Sequence, residues 1–228
     1  MNLKSTFTQQ GTHRDENRDV TGSVKNAEVS MFVIVDGTAK PGSGELANAL
    51  VDFLVEGFDQ TRLSPANSIA DAERIVLGLL RLAHNDLCPK YPLGSASYLV
   101  LLTQGSSATT IHEGDCCLGI LNRDQRLKWK TAPHCLANWR GDTSHDHIAV
   151  SAARKILSKC MSHRREHAPS IQSLTVEPDT VWILATDGFW AELTVTAQLS
   201  AIAELNLQGK PSADDVTFML LSPVTVSL

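Results

Sequence analysis

Asp36 closes the apolar run Met31–Val35, Asp187 follows Val181–Thr186, and Asp214 stands just ahead of Val216–Leu221. A fourth acid, Asp19, ends the charged segment His13-Arg14-Asp15-Glu16-Asn17-Arg18-Asp19. Taking an ionised carboxylate out of water is costly unless a cation or donors meet it. Acids at the ends of buried strands therefore imply something positive beside them. Carboxylates suit hard cations such as Mg²⁺ and Mn²⁺, which take oxygen ligands and keep several waters. Asp36-Gly37 and Asp187-Gly188 each follow the acid with a residue free to turn sharply, and the Gly37 carbonyl offers one more oxygen. One Asp-Gly at a strand end reads as a turn. Three acids beside strongly apolar strands read as one metal site assembled by the fold.

The elements that must position these acids follow from periodicity. The β-branched run 29–35 predicts a buried strand. After the loop 37–44, residues 45–58 place Leu46, Leu50, Phe53, Leu54 and Phe58 on one helical face. A second helix is predicted over 68–87, with Ser64-Pro65 as the break and Asn67-Ser68 as the cap. Residues 97–103, 108–112, 116–121 and 126–130 read as consecutive strands of an antiparallel meander, separated by turn-prone residues. A helix is expected over 147–160, strands over 170–176 and 180–186, a helix over 195–206 capped near Leu193-Thr194, and a last strand over 216–221. This order predicts an α+β fold, antiparallel sheets with helical cover, rather than a doubly wound parallel sheet.

Composition narrows the function classes. The 228 residues are 43% hydrophobic, enough for a full core, and the length suits a single domain over 1–228. The formal net charge of −5 with interspersed signs argues against general nucleic-acid binding. No segment approaches a membrane span, and the N-terminus lacks the apolar stretch of a secretory signal. Five cysteines without CxxC spacing read as free thiols of a reducing cytoplasm, and adjacent Cys116 and Cys117 in a strand would face opposite sides. Eight histidines show no HxxxH or HExxH spacing, so a zinc hydrolase is not supported. A cytoplasmic monomer is the expectation.

The ordered series Arg14-x-x-Asn17-x-Asp19, MFVIVDG, Gly44-Glu45-x-Ala47, Gly94-Ser95-Ala96-Ser97, Gly114-Asp115, Asp146-His147, Leu184-Ala185-Thr186-Asp187-Gly188-Phe189-Trp190 and Asp214-Asp215-Val216-Thr217 resembles the motifs of the metal-dependent serine/threonine protein phosphatases of type 2C. The resemblance runs over about residues 9–222. It implies a four-layer sandwich of two antiparallel β-sheets flanked by pairs of α-helices, with two Mn²⁺ or Mg²⁺ ions at one edge. Asp36 would bridge the ions, the Gly37 carbonyl would ligate one, Asp187 and Asp214 would complete the other, and Asp19 would act through a bound water. Arg14 would hold the substrate phosphate. Asp146 is a candidate ligand for a third ion, or the cap of the helix after it, and Asp115 reads more simply as a hairpin turn. The implied reaction is hydrolysis of phosphoserine or phosphothreonine in a protein substrate of a Ser/Thr kinase.

Three departures stand out. Arg18 occupies a position where the family often has Glu or Gln, beside the second ion. The stretch Thr38-Ala39-Lys40-Pro41-Gly42 has no histidine, which leaves Lys40, His13 or bound water as the general acid. The segment between Asp146 and Asp187 is rich in Arg154, Lys155, Lys159, His163, Arg164, Arg165 and His167, a basic rim for an acidic partner or a solvated linker. These departures also admit a catalytically weak relative acting as a protein-binding module.

Overall fold

The computed structural model describes residues 1–207, 209 and 212–223. One antiparallel sheet has the order β1-β11-β10-β6-β7 and the other β2-β3-β4-β5-β9, with short β8 beside β4. The strands are β1 (Asn2–Gln9), β2 (Asp19–Asn26), β3 (Val29–Gly37), β4 (Ser95–Gln104), β5 (Ser107–Glu113), β6 (Cys117–Leu121), β7 (Leu127–Trp129), β8 (Met161–Ser162), β9 (Ser170–Thr175), β10 (Val181–Ala185) and β11 (Val216–Ser222). Helices α1 (Ser43–Asp59) and α2 (Ile69–Leu87) cover one sheet; α3 (His145–Ala149), α4 (Asp187–Trp190) and α5 (Val195–Glu204) lie with the other. The expected α+β sandwich is the observed fold.

Strand alternation sorts side chains between three apolar layers. On β3, Met31, Val33 and Val35 meet α1 and α2, whereas Phe32 and Ile34 enter the space between the sheets. On β10, Trp182 and Leu184 fill that central layer while Ile183 and Ala185 pack outward with Phe189 and Phe218. Cys116 and Cys117 divide in the same way, and all five cysteines are buried free thiols. Helix α2 starts with a capping box in which the Ser68 hydroxyl accepts from Asp71 N–H and Asp71 accepts from Ser68 N–H.

Two expectations are corrected and two strands were not foreseen. No element was expected at β1 or β2; both are sheet edges with one face in water, so they lack an apolar run. Residues 97–130 do not form one meander: β4 pairs with β5 and β6 with β7, but the chain changes sheet between β5 and β6. Gly114 makes that crossing at φ 99°, where a Cβ would stand 2.2 Å from Ser97 Oγ. The helix expected over 147–160 breaks into α3, a 3₁₀ turn at Ala152–Lys155 and an extended stretch. There Leu136 N–H donates to Ile156 O and Ser158 N–H to His134 O, so non-local pairing replaces the helical bonds. Among the described residues, no helix is long and apolar enough to cross a membrane.

Candidate active site

The acids meet at one end of the sandwich because three strands put them in a row. Asp19 on β2 stands directly opposite Asp36 on β3, and Asp36 stands opposite Ser97 on β4. Like charges in such a cross-strand pair repel. The second sheet contributes Asp187 where β10 ends, Asp115 just before β6, and Asp214 just before β11. Gly188 permits the close approach of the Asp187 and Asp214 connections: a Cβ there would lie 1.9 Å from the Asp215 carbonyl. Arg14, Asp36, Ser97, Asp115, Asp187 and Asp214 line a cavity of ≈ 280 Å³, with exposed Lys155 at its rim. A larger cavity, ≈ 540 Å³, lies near Lys25, Ser30 and Thr103 at the other end of β3 and β4 and holds no carboxylate cluster.

The carboxylates load one another electrostatically. Burial pushes Asp36 well above the usual range, and the charges of Asp19, Asp187, Asp115 and Asp214 push it further. Burial also raises Asp19, helped by Asp215 and Asp187, against hydrogen bonds from Thr186 and Thr217. The Thr186 hydroxyl donates to Asp19 Oδ2 at 2.9 Å. Asp115 is pushed up to about 7 by burial and by Asp187, although Ser97 Oγ donates to it at 2.7 Å. The Asp36 carboxylate accepts no hydrogen bond and forms no ion pair among the described residues, although the charge of Arg14 reaches it.

Two arginines answer part of this charge. Arg14 Nε donates to Asp214 Oδ1 at 2.6 Å, and the guanidinium, 22% exposed, remains open to the cavity. Arg154, from the 3₁₀ turn, donates to Asp187 Oδ2 at 2.5 Å and to Glu192 Oε1 at 3.0 Å, and is only 8% exposed. Arg18, the residue that raised doubt in the sequence, turns away from the acids. Its Nε pairs with Glu16 at 2.8 Å and its Nη1 donates to the Thr38 carbonyl at 3.2 Å. Asp215 accepts from the Gly11 and Arg18 amides, which ties the Arg14 loop to the start of β11.

The expected residues Arg14, Asp36, Asp187 and Asp214 thus share one cavity, with Asp19 behind Asp36. Asp146 is exposed on α3 and does not line the cavity, and neither do exposed His13 and Lys40. Asp115, Ser97, Arg154 and Glu192 belong to the site or its support and were not singled out in those roles. Ser97 and Asp115 stood in the ordered motifs and Arg154 in the basic segment, but nothing in the sequence gave them these roles, and nothing pointed to Glu192. A donor set made of oxygens and short of positive charge at Asp19 and Asp36 fits a divalent cation. At Asp187 and Asp214 arginines already stand, and among the described residues no group of three His, Cys, Asp or Glu side chains is arranged to hold an ion.

No protein-family model matches the chain, and no curated protein sequence does. Solved structures match closely in shape. The serine/threonine phosphatase Stp1 from Staphylococcus aureus superposes with a TM-score of 0.82 at 19% identity, over 97% of this chain and 95% of that one. The S. agalactiae serine/threonine phosphatase gives 0.82 at 15% identity, over 96% and 98%. The PPM Ser-Thr phosphatase MsPP from Mycobacterium smegmatis, solved with cacodylate, gives 0.76 at 15% identity, over 97% and 99%. The fold is that of the bacterial PPM-type serine/threonine phosphatases, as the ordered motifs implied.

Proposed function

We propose that the chain hydrolyses phosphoserine and phosphothreonine in protein substrates, using Mn²⁺ or Mg²⁺. The observation that carries this reading is the convergence of Asp36, Asp115, Asp187, Asp214 and Arg14 on one cavity, within a fold shared by phosphatases. Asp19, Asp36 and the Gly37 carbonyl are the groups that would hold a cation, and Asp187 and Asp214 are the groups that would complete a second where one is taken. When bound, a cation supplies Lewis acidity and charge neutralisation at the phosphate.

The chain's own groups do the rest. Arg14 is partly exposed at the cavity, so its fork can exchange Asp214 for two phosphate oxygens and fix the ester in place. Ser97 holds the Asp115 carboxyl in one orientation, and Thr186 does the same for Asp19. Lys155 at the rim, rather than Lys40 or His13, is the basic side chain in reach of the leaving group or of an acidic partner.

The test is Mn²⁺-dependent release of phosphate from a phosphopeptide. Wild type should turn over, and Asp36→Asn should lose at least about 10²-fold, on the scale of removing one group that stabilises transition-state charge. A wild type that releases no phosphate, indistinguishable from Asp36→Asn, would end the enzyme reading. A second reading, a binding module that keeps the fold without turnover, is favoured by the arginine pairs already on Asp187 and Asp214. It predicts phosphopeptide binding with no phosphate release at any Mn²⁺ concentration.

A further inference from the structure

The two guanidiniums at the acid cluster are held differently. Arg14 has one carboxylate partner and lines the cavity. Arg154 is buried to 8% exposure between Asp187 and Glu192, and Glu192 is itself pinned by Ser212 Oγ at 3.0 Å. Its turn is fixed by Ser151 Oγ, which accepts from Ala153 N–H, and by the Leu136–Ile156 backbone bond. A guanidinium clamped in this way is a fixed part of the charge balance, because withdrawing it would leave two half-buried carboxylates without their cation. Neither Asp36 nor Asp19 forms an ion pair among the described residues, and Asp36 feels only the charge of Arg14 without contact. The cluster is therefore divided: the Asp187 end is neutralised by direct contact with a fixed arginine, and the Asp36 end is not.

We infer that Arg154 is a built-in cation at the Asp187 end, so that the chain takes one divalent ion, at Asp36 and Asp19, in place of a pair. This rests on the metal-dependent reading above and fixes its stoichiometry. Geometry gives the reason for exclusion. Arg154 holds Oδ2 of Asp187, and an ion on the remaining oxygen would stand within a few ångströms of a fixed positive charge.

The test counts ions. Mn²⁺ is titrated into the chelator-treated full chain by calorimetry, and its electron paramagnetic resonance spectrum is recorded at saturation. Wild type should bind one Mn²⁺ with the uncoupled six-line signal of an isolated ion. Arg154→Gln should bind two, with the broadened signal of a spin-coupled pair. Arg154→Lys, which keeps the charge but loses the fork that spans Asp187 and Glu192, should tighten a second site by about 10–100-fold, the worth of one charge-assisted hydrogen bond. Arg154→Lys keeps the test open should Arg154→Gln fail to fold. Two coupled ions in wild type would overturn the inference and leave the metal-dependent reading intact, as would a count of one in every variant. No ion in any of the proteins would overturn both.

Discussion

Replacing Asp115 with Asn should make the metal-free protein more stable, although it removes a residue of the candidate site. Asp115 is 8% exposed and its carboxyl titrates at about 7 instead of the ordinary 3.8, chiefly through burial and then through Asp187. A carboxyl raised in this way gives stability that is complete below about 3.8 and is lost as pH rises through about 7. At about 1.36 kcal/mol per pH unit, ionising it in the folded state costs roughly 4 kcal/mol by pH 8 and about 1.7 kcal/mol at pH 5. Asn keeps an acceptor for the Ser97 hydroxyl and drops the charge. The gain should raise the melting temperature in EDTA at pH 8 by about 8–16 °C, at about 2–4 °C per kcal/mol for a chain of this size. At pH 5 the gain should fall to less than half. His134, His145 and His167 are held neutral by burial, at about 3, 4 and 4, so the stability they give is present above about 6.5 and fades as pH falls. They enter both proteins equally and cancel in the difference. Scanning fluorimetry of both proteins at the two pH values is the assay. An Asn variant that melts at or below wild type in EDTA at pH 8, or a gain equal at both pH values, would refute the electrostatic reasoning.

Two further outcomes follow from the same geometry. Arg14→Ala should lower kcat/KM for a phosphopeptide by about 10–100-fold, the worth of a charge-assisted pair, while Mn²⁺ affinity is kept or rises because Asp214 loses its partner. Kinetics beside calorimetry separate a phosphate handle from a metal-site residue. Gly114→Ala should cost about 2–4 kcal/mol, since it adds a Cβ at φ 99° against Ser97, and denaturant melts would read the loss.

What was legible in the chain follows how far each signal reaches. The apolar runs of β3, β4, β10 and β11 announce themselves because each is buried on both faces, and α1 and α2 show because one face of each is wet. Strands β1 and β2 stayed hidden because edge strands survive on main-chain pairing and need little apolar surface. The sheet change at Gly114 was hidden for another reason. A hairpin turn and a crossing between sheets use the same residues, and only the partners of β5 and β6 tell them apart. Asp115 was misjudged with it: read as a turn residue, it is a buried acid of the cavity.

The arginines show the same limit at the level of charge. Acids at strand ends can be found by position because their strands are local. The cation that answers each acid can come from anywhere in the chain. Arg18 lies one residue from Asp19 and was the natural suspect, yet its guanidinium goes to Glu16 and the Thr38 carbonyl. Arg154, 33 residues from Asp187, reaches that acid because the segment after α3 pairs with residues 134–136 instead of continuing as a helix. The failed helix and the unforeseen ion pair are therefore one event. A helix over 147–160 would carry Arg154 on a regular turn, without the 134–136 pairing that sets the 3₁₀ turn against Asp187. Whether this fold takes one ion or two turns on how fourteen residues pair, and no motif records that.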